Sequence, residues 1–325
     1  MLYKKAAAED VLPALTLALR VLTEEKPAFA PGAAERFKTD CTENERYVSS
    51  LTTGKNLMLV ALDEGKTVGL ISECGNGRIS QLYIDGAYRR RGIATALMKH
   101  MVCMLKLRGF DTLILNAPSA ALPFFLHFGF TPTAEKQEKN GFVYTLMTYK
   151  PNEIWDVYDI NHNKTGRYAE RGRKLEPGDY HLIVHIWKHN GRGEWLIDRR
   201  AMKRGTSIDG KWETTGGAAV AGDDSLSAAL RETKEELGIE LDPKKGVLIH
   251  SDLAKGYAEH TGFLDAWVFE HDCPIEDIRF QESETCDAMW ATAEKIRDMM
   301  EKGEFLSPWF YPYFDQMVEK WGAET

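Results

Sequence analysis

Residues Gly217 to Ile239 read GAAVAGDDSLSAALRETKEELGI. Asp224 and Ser225 suit a helix N-cap, and Gly238 suits the left-handed turn that ends a helix. The spacing predicts a helix from about Ser225 to Leu237. Leu226, Leu230, Thr233 and Leu237 recur at helical intervals and set one stripe against a core. Glu232, Glu235 and Glu236 fall at i, i+3 and i+4, on a different face. Like charges at that spacing repel by roughly 0.2–0.5 kcal/mol per pair, a cost that interspersed lysines would remove. Arg231 precedes Glu235 by four residues and can hold its carboxylate. Three convergent carboxylates suit a hard cation such as Mg²⁺, which binds oxygen ligands and substrate phosphates together. The segment RETKEELG, taken alone, fits a solvated acidic helix face equally well.

The surrounding chain bounds the alternatives. Its 325 residues suffice for two ordinary domains, each with a core. A hydrophobic share of 43% with 28% charged residues is that of a soluble globular protein. The net charge of -8 argues against a nucleic-acid footprint spread over the surface. No apolar run approaches the roughly 20 residues that span a bilayer, and MLYKKAAAEDVLPAL lacks the apolar core of a secretory signal. Cys41, Cys74, Cys103, Cys273 and Cys286 are scattered, with no CxxC pair, and read as reduced thiols of a cytoplasmic protein. The expected partners are small molecules, with no nucleic acid polymer and no membrane; the oligomeric state is not legible.

Upstream of the opening stretch, YHLIVHIW and GEWLIDRR predict a hairpin around KHNGR, and GGAAVAG predicts a Gly-rich loop into the helix. Downstream, FLDAWVFEH predicts a strand, and WATAEKIRDMMEKG and PWFYPYFDQMVEKW predict helices. Arg199, Arg200 and Lys203 precede the loop and are candidates to pair with phosphates. His181, His185 and His189 share one face of a strand. Pro151-Asn152 breaks the pattern, which divides the chain into residues 1–150 and 151–325.

In the first half, residues 8–24 carry helical leucine spacing. NLMLVAL, TVGLISE and ISQLYI predict strands, followed by a helix from about Gly92, a strand DTLILNA, a short helix ending at Gly129, and a strand GFVYTLMTYK. The sequence QLYIDGAYRRRGIATALM places Arg89, Arg90 and Arg91 at a strand-to-helix turn. Unpaired amides and the helix dipole at such a start bind anions, and Gly92 and Ala94 are small enough for close approach.

Gly217, Arg231, Glu232, Glu235, Glu236, Gly238 and Ile239 stand in the register of the Nudix hydrolase box, which this stretch resembles. Asp223 replaces the first glutamate of that box, and Thr233 takes an apolar slot. The resemblance implies an α/β/α sandwich and a metal, Mg²⁺ or Mn²⁺, held by Glu232, Glu235 and Glu236 with the Gly216 carbonyl. It gives catalytic roles to Glu232, Glu235 and Arg231, and an assisting role to a later glutamate, here Glu284. The flanks EIWDVYD, GDYHLIVHIW, LIDRR and WETTGG resemble the isopentenyl-diphosphate-isomerase-like members. That isomerase needs a cysteine where this chain has Gly217, so hydrolysis is expected over isomerisation. Tyr257 is similar to a tyrosine of members that act on dinucleoside polyphosphates.

Arg89, Gly92 and Ala94 match the signature of the GNAT acyltransferases, and NAPSAALPFFLHFGF resembles the second coenzyme element of that family through Asn116, Ala121, Phe124, Gly129 and Phe130. The resemblance covers about residues 1–150 and implies a mixed twisted sheet flanked by helices. It implies acetyl-CoA in a gap between two strands. The pantetheine would lie on the backbone of Leu82, Tyr83 and Ile84, and the pyrophosphate on amides of Arg90, Arg91, Gly92, Ile93, Ala94 and Thr95. Phe125, counted with Arg89 and Asn116 among the implied coenzyme contacts, stands where the family often has a tyrosine that protonates the leaving thiolate, and phenyl carries no such proton; Tyr83 and Tyr144 are substitutes. Glu73 is a candidate base for the acceptor amine. The fold class expected is α/β, and the function a bifunctional acetyltransferase and diphosphate hydrolase. The alternatives are a first half that only binds CoA and regulates, and a diphosphate isomerase.

Overall fold

The computed structural model describes all residues except 25–31, 140, 141, 203, 204, 255–261 and 323–325. Two compact units emerge, residues 1–154 with 169–171 and residues 155–168 with 172–325. The return of 169–171 to the first unit has no sequence signal. Buried Glu170 accepts the Tyr149 hydroxyl at 2.7 Å and the Asn152 amide at 2.9 Å.

The first unit runs β1 (Leu2–Lys5), α1 (Ala8–Glu24), α2 (Ala33–Phe37), α3 (Glu45–Thr52), β2 (Met58–Asp63), β3 (Lys66–Glu73) and β4 (Arg78–Ile84). It continues through α4 (Ile93–Leu107), β5 (Leu113–Pro118), α5 (Leu122–Phe128), β6 (Thr131–Pro132), β7 (Gln137–Lys139) and β8 (Phe142–Tyr149). The sheet order is β1-β2-β3-β4-β5-β8-β6, with β7 also on β8. Leu15, Ala18 and Leu22 of α1 pack with Val60 and Leu70 on one face. Leu97, Met101 and Leu105 of α4 pack with Leu59, Ile71 and Leu115 on the other.

The strands β4 and β5 decide what this sheet can hold. They are parallel and pair through Arg78–Ile114 and Ile79–Leu115 alone, although β4 runs on to Ile84. Ser72 faces Gln81 while Glu73 faces Ile79, so Ser80 is an extra residue that bulges β4. A bulge bends and twists its strand. Beyond it, the β5-facing edge of Leu82, Tyr83 and Ile84 lies open.

A two-stranded sheet follows, β9 (Ile154–Tyr158) and β10 (Lys164–Glu170), of which all but Ile154, Ala169 and Glu170 belong to the second unit. Its seven-stranded sheet holds β11 (His181–His189), β12 (Glu194–Arg200), β13 (Trp212–Glu213), β14 (Thr215–Ala218), β15 (Val247–Leu253), β16 (Gly262–Glu270) and β17 (Thr285–Thr292). The order is β13-β12-β11-β16-β15, with β14 on β11 and β17 on β12. Central β11 is buried on both faces. Its Leu182, Val184 and Ile186 meet α6 (Ser225–Leu237), and its Trp187 meets α7 (Ala293–Glu301) and α8 (Phe314–Trp321).

Three local expectations change. The Gly-rich loop is in part a strand, β14, antiparallel to β11. The helix expected from Trp290 starts at Ala293, because Thr285–Thr292 pairs along β12 and Thr292 caps α7. The core-facing residues of α6 are Ala228, Ala229, Glu232, Thr233 and Leu237, while Leu226 and Leu230 sit half-buried at the margin. Small alanines allow the helix to lie close on the sheet, and that rotation carries Glu232 inward.

Candidate functional site

In the second unit, α6 is capped by Asp224, whose side chain accepts the Ser227 amide at 2.7 Å, and ends at Gly238 with φ 70°. Glu232 is 9% exposed, and its carboxylate lies against Gly217 so closely that a Cβ at residue 217 would overlap it. Arg231 joins the loop to the helix. It contacts Asp223 at 2.9 Å, Glu232 at 3.1 Å and Glu235 at 2.9 Å, and it donates to the Ala218 carbonyl at 3.2 Å. Burial opposes its charge, but Glu232, Asp223 and Glu235 outweigh burial and raise its pKa. Asp223, where the box has a longer residue, thus reaches Arg231. Glu235 points to solvent on Arg231, whereas Glu236 turns inward.

Glu236 meets a charged layer that sequence reading missed. Lys188, Asp198 and Arg200 occupy alternate positions on the α6 side of β11 and β12. Lys188 and Asp198 are fully buried. Lys188 donates to the Thr215 hydroxyl, and that hydroxyl donates to Asp198 Oδ2 at 2.5 Å. Arg200 pairs with Glu213 at 2.6 Å. Burial, then Asp198, Glu213 and Glu232, push Glu236 well above the usual carboxylate range, with Lys188 opposing. Burial likewise raises Asp198, against Lys188, and draws Lys188 down to about 8. Asp198 Oδ1 is buried without a hydrogen-bond partner. The legible signal was the parity of a lysine and an aspartate inside otherwise apolar strands.

Among the described residues, no three His, Cys, Asp or Glu side chains are gathered as a ready-made metal cluster. Of the expected three-glutamate set, Glu235 pairs with Arg231 at 2.9 Å. The donor chemistry still fits a hard divalent cation. Glu232, lying against Gly217, and Glu236 offer oxygens, and an excess of carboxylates over cations leaves negative charge to offset.

Other expectations disperse. Arg199 and Arg200 alternate to opposite faces of β12, so they do not form one phosphate clamp. Arg199 donates to the Gly210 carbonyl at 2.9 Å, and Lys203 lies outside the described residues, as does Tyr257. The half-buried Glu284 accepts the Ala201 amide through its backbone carbonyl at 2.8 Å. Of the histidines of β11, His181 and His185 are buried and His189 is half-buried. His181 stacks on Trp155 at 4.4 Å, His189 tilts against Trp195 at 5.6 Å, and His185 Nδ1 meets the Tyr313 hydroxyl at 2.7 Å.

In the first unit, Arg89, Arg90 and Arg91 are all exposed at the turn into α4. Arg90 (φ 61°) and Gly92 (φ 79°) are left-handed, and no side chain caps the helix start, so its first amides face outward. Arg91 lies over the Tyr88 ring at 4.9 Å. Asn116 is exposed and accepts from Arg78 at 3.3 Å. The expected coenzyme contact Phe125 and the candidate base Glu73 are both packed into the fold. Phe125 is 6% exposed and packs edge-on with Phe124 and Phe130, so it is a wall of the core. Glu73 is 2% exposed; its carboxylate takes the amides of Leu57 and Gly75 and meets Arg108 at 3.5 Å.

The substitute tyrosines are also placed. Burial pushes Tyr83 far up, and its ring sits against Phe37 at 5.8 Å. Tyr144 donates to Gln137 at 3.0 Å. Tyr47, which the sequence did not single out, accepts from Gln81 at 2.9 Å near Ser72, and burial pushes it up to about 12.

The family model for an acetyltransferase (GNAT) domain matches residues 22–151, and that for a NUDIX domain matches residues 179–310. A Nudix hydrolase of Listeria innocua is 34% identical over 174 residues, which are 53% of this chain and 98% of that protein. A second, of Listeria monocytogenes, is 35% identical over 161 residues, 49% of this chain and 90% of that protein. An N-acetyltransferase of Escherichia coli is 34% identical over 100 residues, 30% of this chain and 63% of that protein. The chain belongs to the Nudix hydrolase family and carries a GNAT acetyltransferase domain ahead of its Nudix domain.

Proposed function

We propose that the chain is a bifunctional cytoplasmic enzyme. Its second unit hydrolyses small diphosphate-linked compounds, nucleoside diphosphate derivatives among them, with Mg²⁺ or Mn²⁺. Its first unit transfers an acetyl group from acetyl-CoA to a small amine. The observation that carries the hydrolase reading is the inward carboxylate pair, with Glu232 fitted over Gly217 and Glu236 crowded by Asp198 and Glu213. Glu232, Glu236 and the Gly216 carbonyl would hold the cation. When bound, it would offset diphosphate charge and lower the pKa of a water. Arg231 orients the carboxylates and ties the loop to the helix, and Glu235 faces solvent, where a proton taken from water can leave. The test is Mg²⁺-dependent product release from a diphosphate panel, lost in Glu236→Gln and Glu235→Gln; unchanged rates would sink the assignment.

Isomerisation is disfavoured because the cysteine that the isomerase resemblance calls for is Gly217 in this chain.

The acetyl-CoA reading rests on the open edge of Leu82, Tyr83 and Ile84 and on the outward amides from Arg90 to Thr95. A second reading, in which this unit binds CoA and regulates the hydrolase, is favoured by the aprotic, buried Phe125. Calorimetric CoA binding without acetylation of any amine in a broad panel would select it.

A further inference from the structure

The arginine turn is anchored at one end by a buried carboxylate that no motif marks. Asp85 follows β4 and is 5% exposed. Its amide donates to the Val68 carbonyl at 2.9 Å, and its carbonyl accepts the Tyr88 amide at 2.9 Å. Its Oδ1 accepts the Ala87 amide at 3.0 Å, and its Oδ2 accepts Arg20 Nη2 of α1 at 2.6 Å. Lys66 Nζ stands 4.0 Å away. One residue thus closes the 3-10 turn Gly86–Tyr88 and fastens it to a helix on the sheet's opposite face from α4.

We propose that Asp85, held by Arg20, is the positioning residue of the pyrophosphate loop. It sets the direction in which the chain leaves β4, and so where the left-handed residues Arg90 and Gly92 present their amides. The inference rests on the acetyl-CoA reading above. Neither Asp85 nor Arg20 belongs to the expected coenzyme contacts, so both act through the loop. The role predicts selectivity. Loss of the anchor weakens the grip on the phosphate end of CoA and leaves the pantetheine contacts along Leu82–Ile84 in place.

The experiment titrates the full chain calorimetrically with CoA and with pantetheine, which lacks the nucleotide and pyrophosphate. Pantetheine is read by competition where its own heat is small. Asp85→Ala should weaken CoA about tenfold, the worth of a charge-assisted bond, and Arg20→Met should weaken it several-fold, with pantetheine affinity within about twofold of wild type in both. The Arg20 side chain is 42% exposed, so that variant keeps the fold if Asp85→Ala does not. Equal loss for both ligands, or unchanged CoA affinity in both variants, overturns the proposal. A wild-type chain that binds neither ligand instead defeats the acetyl-CoA reading itself, and the inference with it.

Discussion

At the residue scale, Glu236 and Gly217 carry the hydrolase account. Replacing Glu236 by Gln removes a charge from a crowded buried cluster, so stability should hold or rise while hydrolysis falls about 100-fold or more. Rates on a diphosphate panel and unfolding midpoints test both halves of that statement. Gly217→Ala drives a methyl into the Glu232 carboxylate and should cost about 100-fold in rate through misplacement; wild-type activity in this variant would show that Glu232 is not held there for chemistry. His185 tests the core rather than the site. Burial, aided by neighbouring His250, pushes it down to about 3, below its unfolded value of about 6.5. The unfolded chain therefore takes up the proton first, and stability is lost as pH falls from about 6.5 towards 3, by up to about 1.4 kcal/mol per pH unit. Melting curves between pH 6.5 and 5 should show that slope, flattened in His185→Phe.

At the element scale, the carboxylate helix was legible because caps, leucine spacing and the glutamate triplet agree over one short run. Its rotation was not legible. Ala228 and Ala229 look neutral in sequence, yet they bring α6 close enough to bury Glu232 and Thr233. The charged layer of Lys188, Thr215 and Asp198 also escaped, since its members come from three strands that meet only in the fold. Phe125 and Glu73 mark the converse case: each matched a motif position or a strand end, and the burial that tertiary packing gives them was not legible. The arginine turn was read correctly as a strand-to-helix passage, but its anchor, Asp85, was not seen. Gly92→Ala places a side chain at φ 79° with open space around it, so the cost is conformational, about 1–2 kcal/mol. Thermal unfolding should show that loss, with CoA affinity reduced in parallel.

For the whole molecule, the two units carry separate chemistries in the proposed account. CoA at saturating concentration should leave the diphosphate hydrolysis rate within about twofold, because coupling between sites is an affinity ratio that would appear as a change in rate or binding. A larger change would favour the regulatory reading. The described residues contain no helix long and apolar enough to cross a membrane, and the five cysteines are free. The most direct test of the central claim is a Mg²⁺ titration of diphosphate hydrolysis by the full chain, wild type beside Glu236→Gln. The account predicts saturable metal-dependent turnover in the wild type and loss of about 100-fold or more in the variant. Equal metal-dependent rates in the two proteins would contradict it.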